Sequence, residues 1–261
     1  MAEPGVFREI KFRANGMLDP LVYAEINRTA SSVMADIVEI GTAHGAATIA
    51  AALGLPAGFR VSTVERMNGG SRARYGGPEE NIRIINDNFA RFGVADKVRL
   101  HVGSVETVAP ELGDGPIGML VLDADGCIDR DFRLFYDRLL PGAPIVIDDY
   151  RPHYVGTTQS GSMLLVDQKH RITTLLVDLF VELGLIERQK IINDTFFGRK
   201  PYNAPPLDLP EARVLDIYRQ LIFTRTSAPS WIRQRIRKAA RRLSPQMHFW
   251  LKQRLKPTVV R

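Results

Sequence analysis

Cysteine is nearly absent. Cys127 is the one thiol in 261 residues, so an intrachain disulfide and a cysteine-rich zinc site are both excluded. Long apolar runs are missing as well: no stretch approaches the roughly 18 residues that a membrane span needs. The longest candidate, Leu175 to Ile186, carries Asp178 and Glu182. The opening segment MAEPGVFREIKFRANG lacks the apolar stretch of a signal peptide. Internal repeats and low-complexity segments are also lacking. These absences argue against a secreted scaffold or a membrane-spanning protein, and a reducing, cytoplasmic location is the expectation.

Acid is missing from one region only. From Thr226 to Arg261 there are ten Lys or Arg and no Asp or Glu, so of the net charge of +6 the preceding residues carry −4. The chain therefore reads as a mildly acidic body with a basic tail. Any argument for a polyanionic partner belongs to that tail and not to the whole protein.

What is present is a recurring unit: a short apolar run ending in Gly or an acid, then a helical pattern. Strands are expected at Ile37 to Gly41, Arg60 to Glu65, Val98 to Val102, Ile117 to Asp123 and Ala143 to Ile147. Helices are expected at Ala46 to Leu53, from Pro78 to a stop at Gly93, around Val105 to Leu112, and from Ile128 to Leu140. This alternation predicts βαβ units around a mainly parallel sheet. Continuous apolar character, as in Met119-Leu120-Val121-Leu122, fits strands buried on both faces. A long helix is expected over Ser162 to Leu183. Two short strands, Ile186 to Ile192 and Thr195 to Gly198, then flank Asn193-Asp194 as a terminal antiparallel hairpin. Four prolines in 201–210 mark a linker, followed by a helix near Glu211 to Phe223.

In an open parallel sheet, ligands bind beyond the carboxyl ends of the strands, where strand order reverses. Glu39-Ile40-Gly41-Thr42-Ala43-His44-Gly45 lies at such an end. Gly41 permits a tight turn, and Gly45 is expected to let the helix approach a ligand closely. Glu65 closes the second strand at about the offset where an acid meets ribose hydroxyls. The dinucleotide fingerprint requires a glycine where Ala43 stands, and no phosphate-binding G-x-x-x-x-G-K-[ST] loop occurs. An acid ahead of G-x-x-x-G suits a cofactor without phosphates, whose cationic group a carboxylate can face. S-adenosylmethionine is a molecule of that kind.

At this point the chain resembles a known family. Val38-Glu39-Ile40-Gly41-Thr42-Ala43-His44-Gly45-Ala46-Ala47-Thr48 resembles the first motif of class I S-adenosylmethionine-dependent methyltransferases. Glu65 matches their ribose-binding acid, and Gly103-Ser104-Val105-Glu106 stands where their adenine-contacting loop falls. Leu122-Asp123-Ala124-Asp125 and the run from Leu139 to Asp149 are similar to the metal-dependent O-methyltransferases of the catechol, caffeoyl-CoA and antibiotic-tailoring kind. The resemblance covers roughly residues 33–200. It implies a Rossmann-like, doubly wound, mainly parallel seven-stranded sheet ending in the antiparallel hairpin. It also implies a cofactor site of Glu39, Gly41, Thr42, Gly45, Thr48, Glu65, Ser104 and Asp123.

Asp123 ends the fourth strand, and Asp148 and Asp149 end the fifth, so three carboxylates should converge at the ligand face. Such charges repel unless a cation or hydrogen-bond donors compensate. Mg²⁺ or another hard divalent cation supplies that compensation and takes oxygen ligands. The three residues match the family's metal positions, although Asp149 stands where plant and animal members often have Asn. The family's lysine, three residues after the first metal Asp, is Gly126 here. His153 is the remaining candidate for general base, and Asp123 is the other residue expected to act in catalysis. Asp125 is read as a helix cap rather than a partner of the metal ligands. Residues 5–32, 66–78 and 150–161 should shape the substrate pocket, with Tyr23, Tyr75, Tyr150 and Tyr154 either lining it or packing.

Within the tail, Ile232, Ile236, Ala239, Ala240 and Leu243 share one face of a helix capped by Ser230. Docking on the acidic body or on a second subunit is the first reading. Contact of residues 230–256 with an anionic membrane surface, flanked by Trp231 and Phe249-Trp250, is the second. A phosphate backbone is the last. Four regions follow: an N-terminal substrate or lid segment (1–32), the cofactor-binding domain (33–200), a Pro-rich linker and helix (201–225), and the basic tail (226–261). The expected activity is Mg²⁺-assisted O-methylation of a small hydroxylated metabolite by a cytoplasmic enzyme, with a homo-oligomer and a peripheral membrane attachment both left open. The alternatives are a metal-independent or nucleic-acid-directed methyltransferase, or a cofactor-binding module without chemistry.

Overall fold

Strands that are apolar on both sides need cover on both sides, and the intervening helices supply it. The computed structural model describes residues 4–67, 77–151, 156–157, 164–165 and 168–222. Its strands are β1 (Asp36–Ile40), β2 (Val61–Glu65), β3 (Val98–Val102), β4 (Ile117–Leu122), β5 (Pro144–Ile147), β6 (Gly156–Thr157), β7 (Leu164–Leu165), β8 (Glu187–Ile192) and β9 (Thr195–Arg199). Its α-helices are α1 (Pro4–Arg13), α2 (Pro20–Ala30), α3 (Ala46–Gly54), α4 (Pro78–Arg91), α5 (Val105–Val108), α6 (Ile128–Phe135), α7 (Gln168–Glu182) and α8 (Glu211–Ile222).

Seven strands form one sheet in the order β3-β2-β1-β4-β5-β9-β8. The first five are parallel, and β9 runs antiparallel to both β5 and β8. This is the expected Rossmann-like architecture with its terminal hairpin. Strand order reverses between β1 and β4, so the crevice favoured by ligands opens at their carboxyl ends. Side chains alternate between two cores. Leu120 and Leu122 of β4 face α6 and α7, whereas Met119 and Val121 face the layer of α1 to α4.

Two expectations change. Residues 5–32 were to shape a pocket, yet Phe7, Ile10, Val22, Tyr23, Ile26 and Ala30 of α1 and α2 are buried in the same core as α3. Of this segment, the turn between the helices (Met17, Leu18 and Asp19) and Val22 of α2 line the carboxylate pocket. The helix expected from Ser162 begins at Gln168, because Leu164–Leu165 pairs antiparallel with Gly156–Thr157. Extended pairing there overrides the helical spacing. The basic tail from 226 onward lies outside the described residues. So do His153, Tyr75 and Tyr154.

Candidate functional site

The parallel ladder continues one step beyond the strands. Asp123 N donates to Ile40 O at 2.9 Å and Asp148 N to Leu122 O at 3.0 Å. The ends of β1, β4 and β5 are thereby held in one row, carrying Gly41, Asp123 and Asp148. Gly41 has φ +102°, and a Cβ on it would fall 2.0 Å from the carbonyl oxygen of Asp123. Glycine is required there because two strand ends meet. Gly45 has a packing role that the sequence did not show. It starts α3 at φ +83°, and a Cβ would lie 2.5 Å from the Phe89 ring of α4. The missing side chain admits a neighbouring helix.

Glu39 and Thr63 are register partners on β1 and β2. Thr63 Oγ1 donates to Glu39 Oε2 at 2.6 Å, and Thr48 Oγ1 of α3 donates to the same oxygen. Thr42 Oγ1 lies 2.6 Å from Thr63 Oγ1, which extends the chain of hydroxyls into the loop. Glu39 is 1% exposed, and burial pushes its carboxyl up to about 7, against the opposing pull of the two threonines. Glu65 is also buried. Its Oε2 accepts from Ala43 N at 2.7 Å and its Oε1 from Met67 N at 3.3 Å. Ala43 adopts φ +51° to present that amide. The acid expected at ribose hydroxyls therefore also fastens the glycine loop to the end of β2. Ser104 caps α5, and Gly103 N donates to Glu65 O at 3.0 Å, so the ends of β2 and β3 meet at this site.

Asp123, Asp148 and Asp149 converge as expected: one carboxylate oxygen from each lies within 4.8 Å of the others. They line a cavity of about 280 Å³ together with Met17, Asp19, Lys169 and Thr195. Asp149 stands at φ +63°, an uncommon backbone state for a side-chain-bearing residue and one that clusters at functional sites. Burial, then the charge of Asp148, pushes the Asp123 carboxyl above the usual carboxylate range. Asp148 is raised in the same way by burial and by Asp149, although Thr195 Oγ1 donates to its Oδ1 at 2.7 Å. For Asp149 burial acts upward too, but a hydrogen bond from His170 and the charge of Lys169 outweigh it and hold the group at about 2. His170 Nε2 lies 2.6 Å from Asp149 Oδ1. Three hard oxygen donors on one wall of a cavity are a suitable set for a divalent cation.

Sequence reasoning missed Lys169 and His170. The Lys169 ammonium pairs with Asp149 and lies 3.3 Å from Asp123 Oδ1. Burial would lower its pKa, but the charges of Asp123 and Asp149 raise it instead. Nothing in the spacing links position 169 to position 123. Thr63 was missed as well, although alternation along β2 places it on the same face as Glu65. Of the aromatics considered for the pocket, Tyr23 is buried and its hydroxyl accepts from Leu18 N at 3.1 Å. Tyr150 packs on Phe196 and donates to Asp178 Oδ1 at 2.9 Å. Both serve packing. His44 is buried beside Asn15, and Asp125 accepts from Cys127 N at the start of α6 and pairs with Arg130.

Residues 38–150 match a protein family described as a methyltransferase domain. Comparison with curated protein sequences gives no significant match. Among solved structures, the chain is similar to the O-methyltransferase from Bacillus cereus in complex with S-adenosylhomocysteine. The identity is 18%, covering 77% of this chain and 92% of that one, with a TM-score of 0.56. It is similar to the O-methyltransferase TomG from Streptomyces achromogenes, which is involved in tomaymycin synthesis and was solved with S-adenosylmethionine. There the identity is 18%, the coverage 77% and 90%, and the TM-score 0.56. A third is the S-adenosylhomocysteine-bound methyltransferase PaMTH1 from Podospora anserina, at 17% identity, 77% and 88% coverage and a TM-score of 0.54. The chain thus matches a methyltransferase-domain model over residues 38–150 and shares the Rossmann-like fold of these methyltransferase structures.

Proposed function

We propose that this methyltransferase domain moves the methyl group of S-adenosylmethionine to a hydroxyl of a small molecule. Mg²⁺ or another divalent cation would be held by Asp123, Asp148 and Asp149. The observation that carries the reading is the meeting of three carboxylates at the same strand ends as the glycine loop. Fold alone would not carry it, since one fold serves many chemistries.

Several residues have definite work in this reading. Gly41 and Thr42 shape the loop beneath the cofactor, and Glu65 offers acceptor oxygens for ribose hydroxyls. Glu39 presents a buried carboxyl below the loop, where a cofactor ammonium would favour its ionised form. The acceptor hydroxyl binds in the cavity beside Asp123. A divalent cation in that cavity favours the deprotonated form of a hydroxyl that it contacts. The acceptor oxygen forms a bond to the methyl carbon, and the C–S bond electrons return to sulfur, leaving S-adenosylhomocysteine. The hydroxyl proton passes to solvent or a nearby base. His153 was the expected base, and it lies outside the described residues.

Calorimetry with S-adenosylhomocysteine tests the cofactor site; folded protein giving no heat at millimolar ligand removes the reading. A methyl-donor assay on a panel of hydroxylated metabolites, read by mass spectrometry with and without EDTA, tests the chemistry. Loss on chelation and recovery with Mg²⁺ is the expected result. Full turnover after exhaustive chelation would favour metal-independent transfer, and activity lost on nuclease treatment would favour a nucleic-acid substrate.

A further inference from the structure

The described carboxylate cluster already has a cation of its own, delivered from an element remote in sequence. Helix α7 packs its first turn against the loop after β4. A Cβ on Gly126 would lie 3.2 Å from Lys169 Cγ and 3.3 Å from both Lys169 O and Thr173 Oγ1. The bare Cα of Gly126 leaves the path along which the Lys169 stem crosses the loop. Its ammonium then reaches Asp149 Oδ2 and lies 3.3 Å from Asp123 Oδ1. Next to it on α7, His170 takes the other oxygen of Asp149. Thr195, from the terminal hairpin, donates to Asp148. Each carboxylate thus has a partner within the chain.

We infer that Lys169 is a tethered counter-cation, which competes with a divalent metal ion for Asp123 and Asp149. This rests on the metal site proposed above. An ammonium and a metal ion that shared these oxygens would sit only a few ångströms apart, inside a partly buried cavity where screening is weak. One therefore leaves as the other arrives. Lysine suits the exchange: its charge is a point on a flexible four-carbon stem, free of the planar geometry that fixes an arginine fork. Two consequences follow. Without metal, the ammonium keeps the three acids together. With metal, its displacement is a standing cost, so the site binds the ion more weakly than three carboxylates otherwise would. Lys169 keeps its charge throughout and is a positioning residue.

The test measures Mn²⁺ binding by calorimetry, and thermal melting without metal, for the full chain and its Lys169→Met and Lys169→Arg variants. Binding of S-adenosylhomocysteine serves as the check on folding. Lys169→Met should bind Mn²⁺ roughly tenfold more tightly or better, melt at a lower temperature without metal, and recover on adding Mn²⁺. Lys169→Arg should melt like wild type without metal. If Lys169→Met does not fold, Lys169→Gln keeps hydrogen-bond donors without the charge and carries the same comparison. Wild type binding Mn²⁺ while Lys169→Met binds no more tightly overturns the competition and leaves the metal site standing. Neither protein binding Mn²⁺, with cofactor affinity intact in both, overturns the metal site and the competition together.

Discussion

Glu39→Gln should change how stability depends on pH, in a direction set by burial. The Glu39 carboxyl is 1% exposed and is pushed from 4.5 up to about 7, chiefly by desolvation. The folded chain therefore keeps this proton up to about pH 7, whereas the unfolded chain releases it near 4.5. Between those values folding takes up a proton, so wild-type stability falls as pH rises through the window and levels off above it. At about 1.4 kcal/mol per pH unit, Glu39 alone removes about 3 kcal/mol. Glutamine has no charge to bury, and its carbonyl can accept from Thr48 and Thr63 as the carboxylate does. Its amide requires an acceptor, but that cost is the same at every pH. Asp123 and Asp148, also raised, steepen the wild-type curve, yet they do so equally in the variant and cancel in the difference. Urea unfolding followed by circular dichroism at pH 5 and pH 8 measures this. Relative to wild type, Glu39→Gln should gain about 2.5 kcal/mol across that range. Curves that stay parallel within about 0.5 kcal/mol would mean that Glu39 is ionised in the folded state at both pH values, and the burial argument would fail.

Gly41→Ala should lower stability by about 3 kcal/mol or more, from a left-handed residue plus a backbone clash with Asp123. Urea midpoints and calorimetry should show lost stability and lost S-adenosylhomocysteine binding together. Asp148→Ala should abolish the recovery of turnover by Mg²⁺ after chelation, while cofactor affinity changes less than about tenfold; a variant fully rescued by Mg²⁺ would remove Asp148 from the metal site. Deleting residues 226–261 should leave S-adenosylhomocysteine affinity unchanged and alter either the mass in solution or salt-sensitive sedimentation with anionic liposomes. A soluble truncation that cannot bind the cofactor would show that the tail belongs to the cofactor domain.

The sheet was legible because its strands are short, apolar and punctuated by Gly or acid, a pattern set by burial on both faces. The convergence of Asp123, Asp148 and Asp149 was legible for a related reason: parallel strands deliver their carboxyl ends to one side. What could not be read was any contact that depends on packing between distant elements. Lys169 reaches Asp123 only because α7 lies on Gly126. Gly45 leaves room for the Phe89 ring, a contact that only the position of α4 reveals. The start of α7 was misread for the same reason, since strand pairing at Leu164–Leu165 leaves no trace in helical periodicity.

The terminal hairpin has a consequence for engineering. Its two-residue turn grips the segment that carries the acids: Tyr150 N donates to Asp194 O at 2.7 Å, Arg151 pairs with the Asp194 carboxylate, and Thr195 holds Asp148. Surface turns ordinarily accept inserted residues at small cost, and a hairpin tip would be the customary place to graft a tag or a binding peptide. Here a single added residue would shift Asp194 away from Tyr150 and Arg151 and disturb the Thr195 bond to Asp148. The turn is a splint for the acidic cluster, and its length is as much a part of the site as the residues that line the cavity.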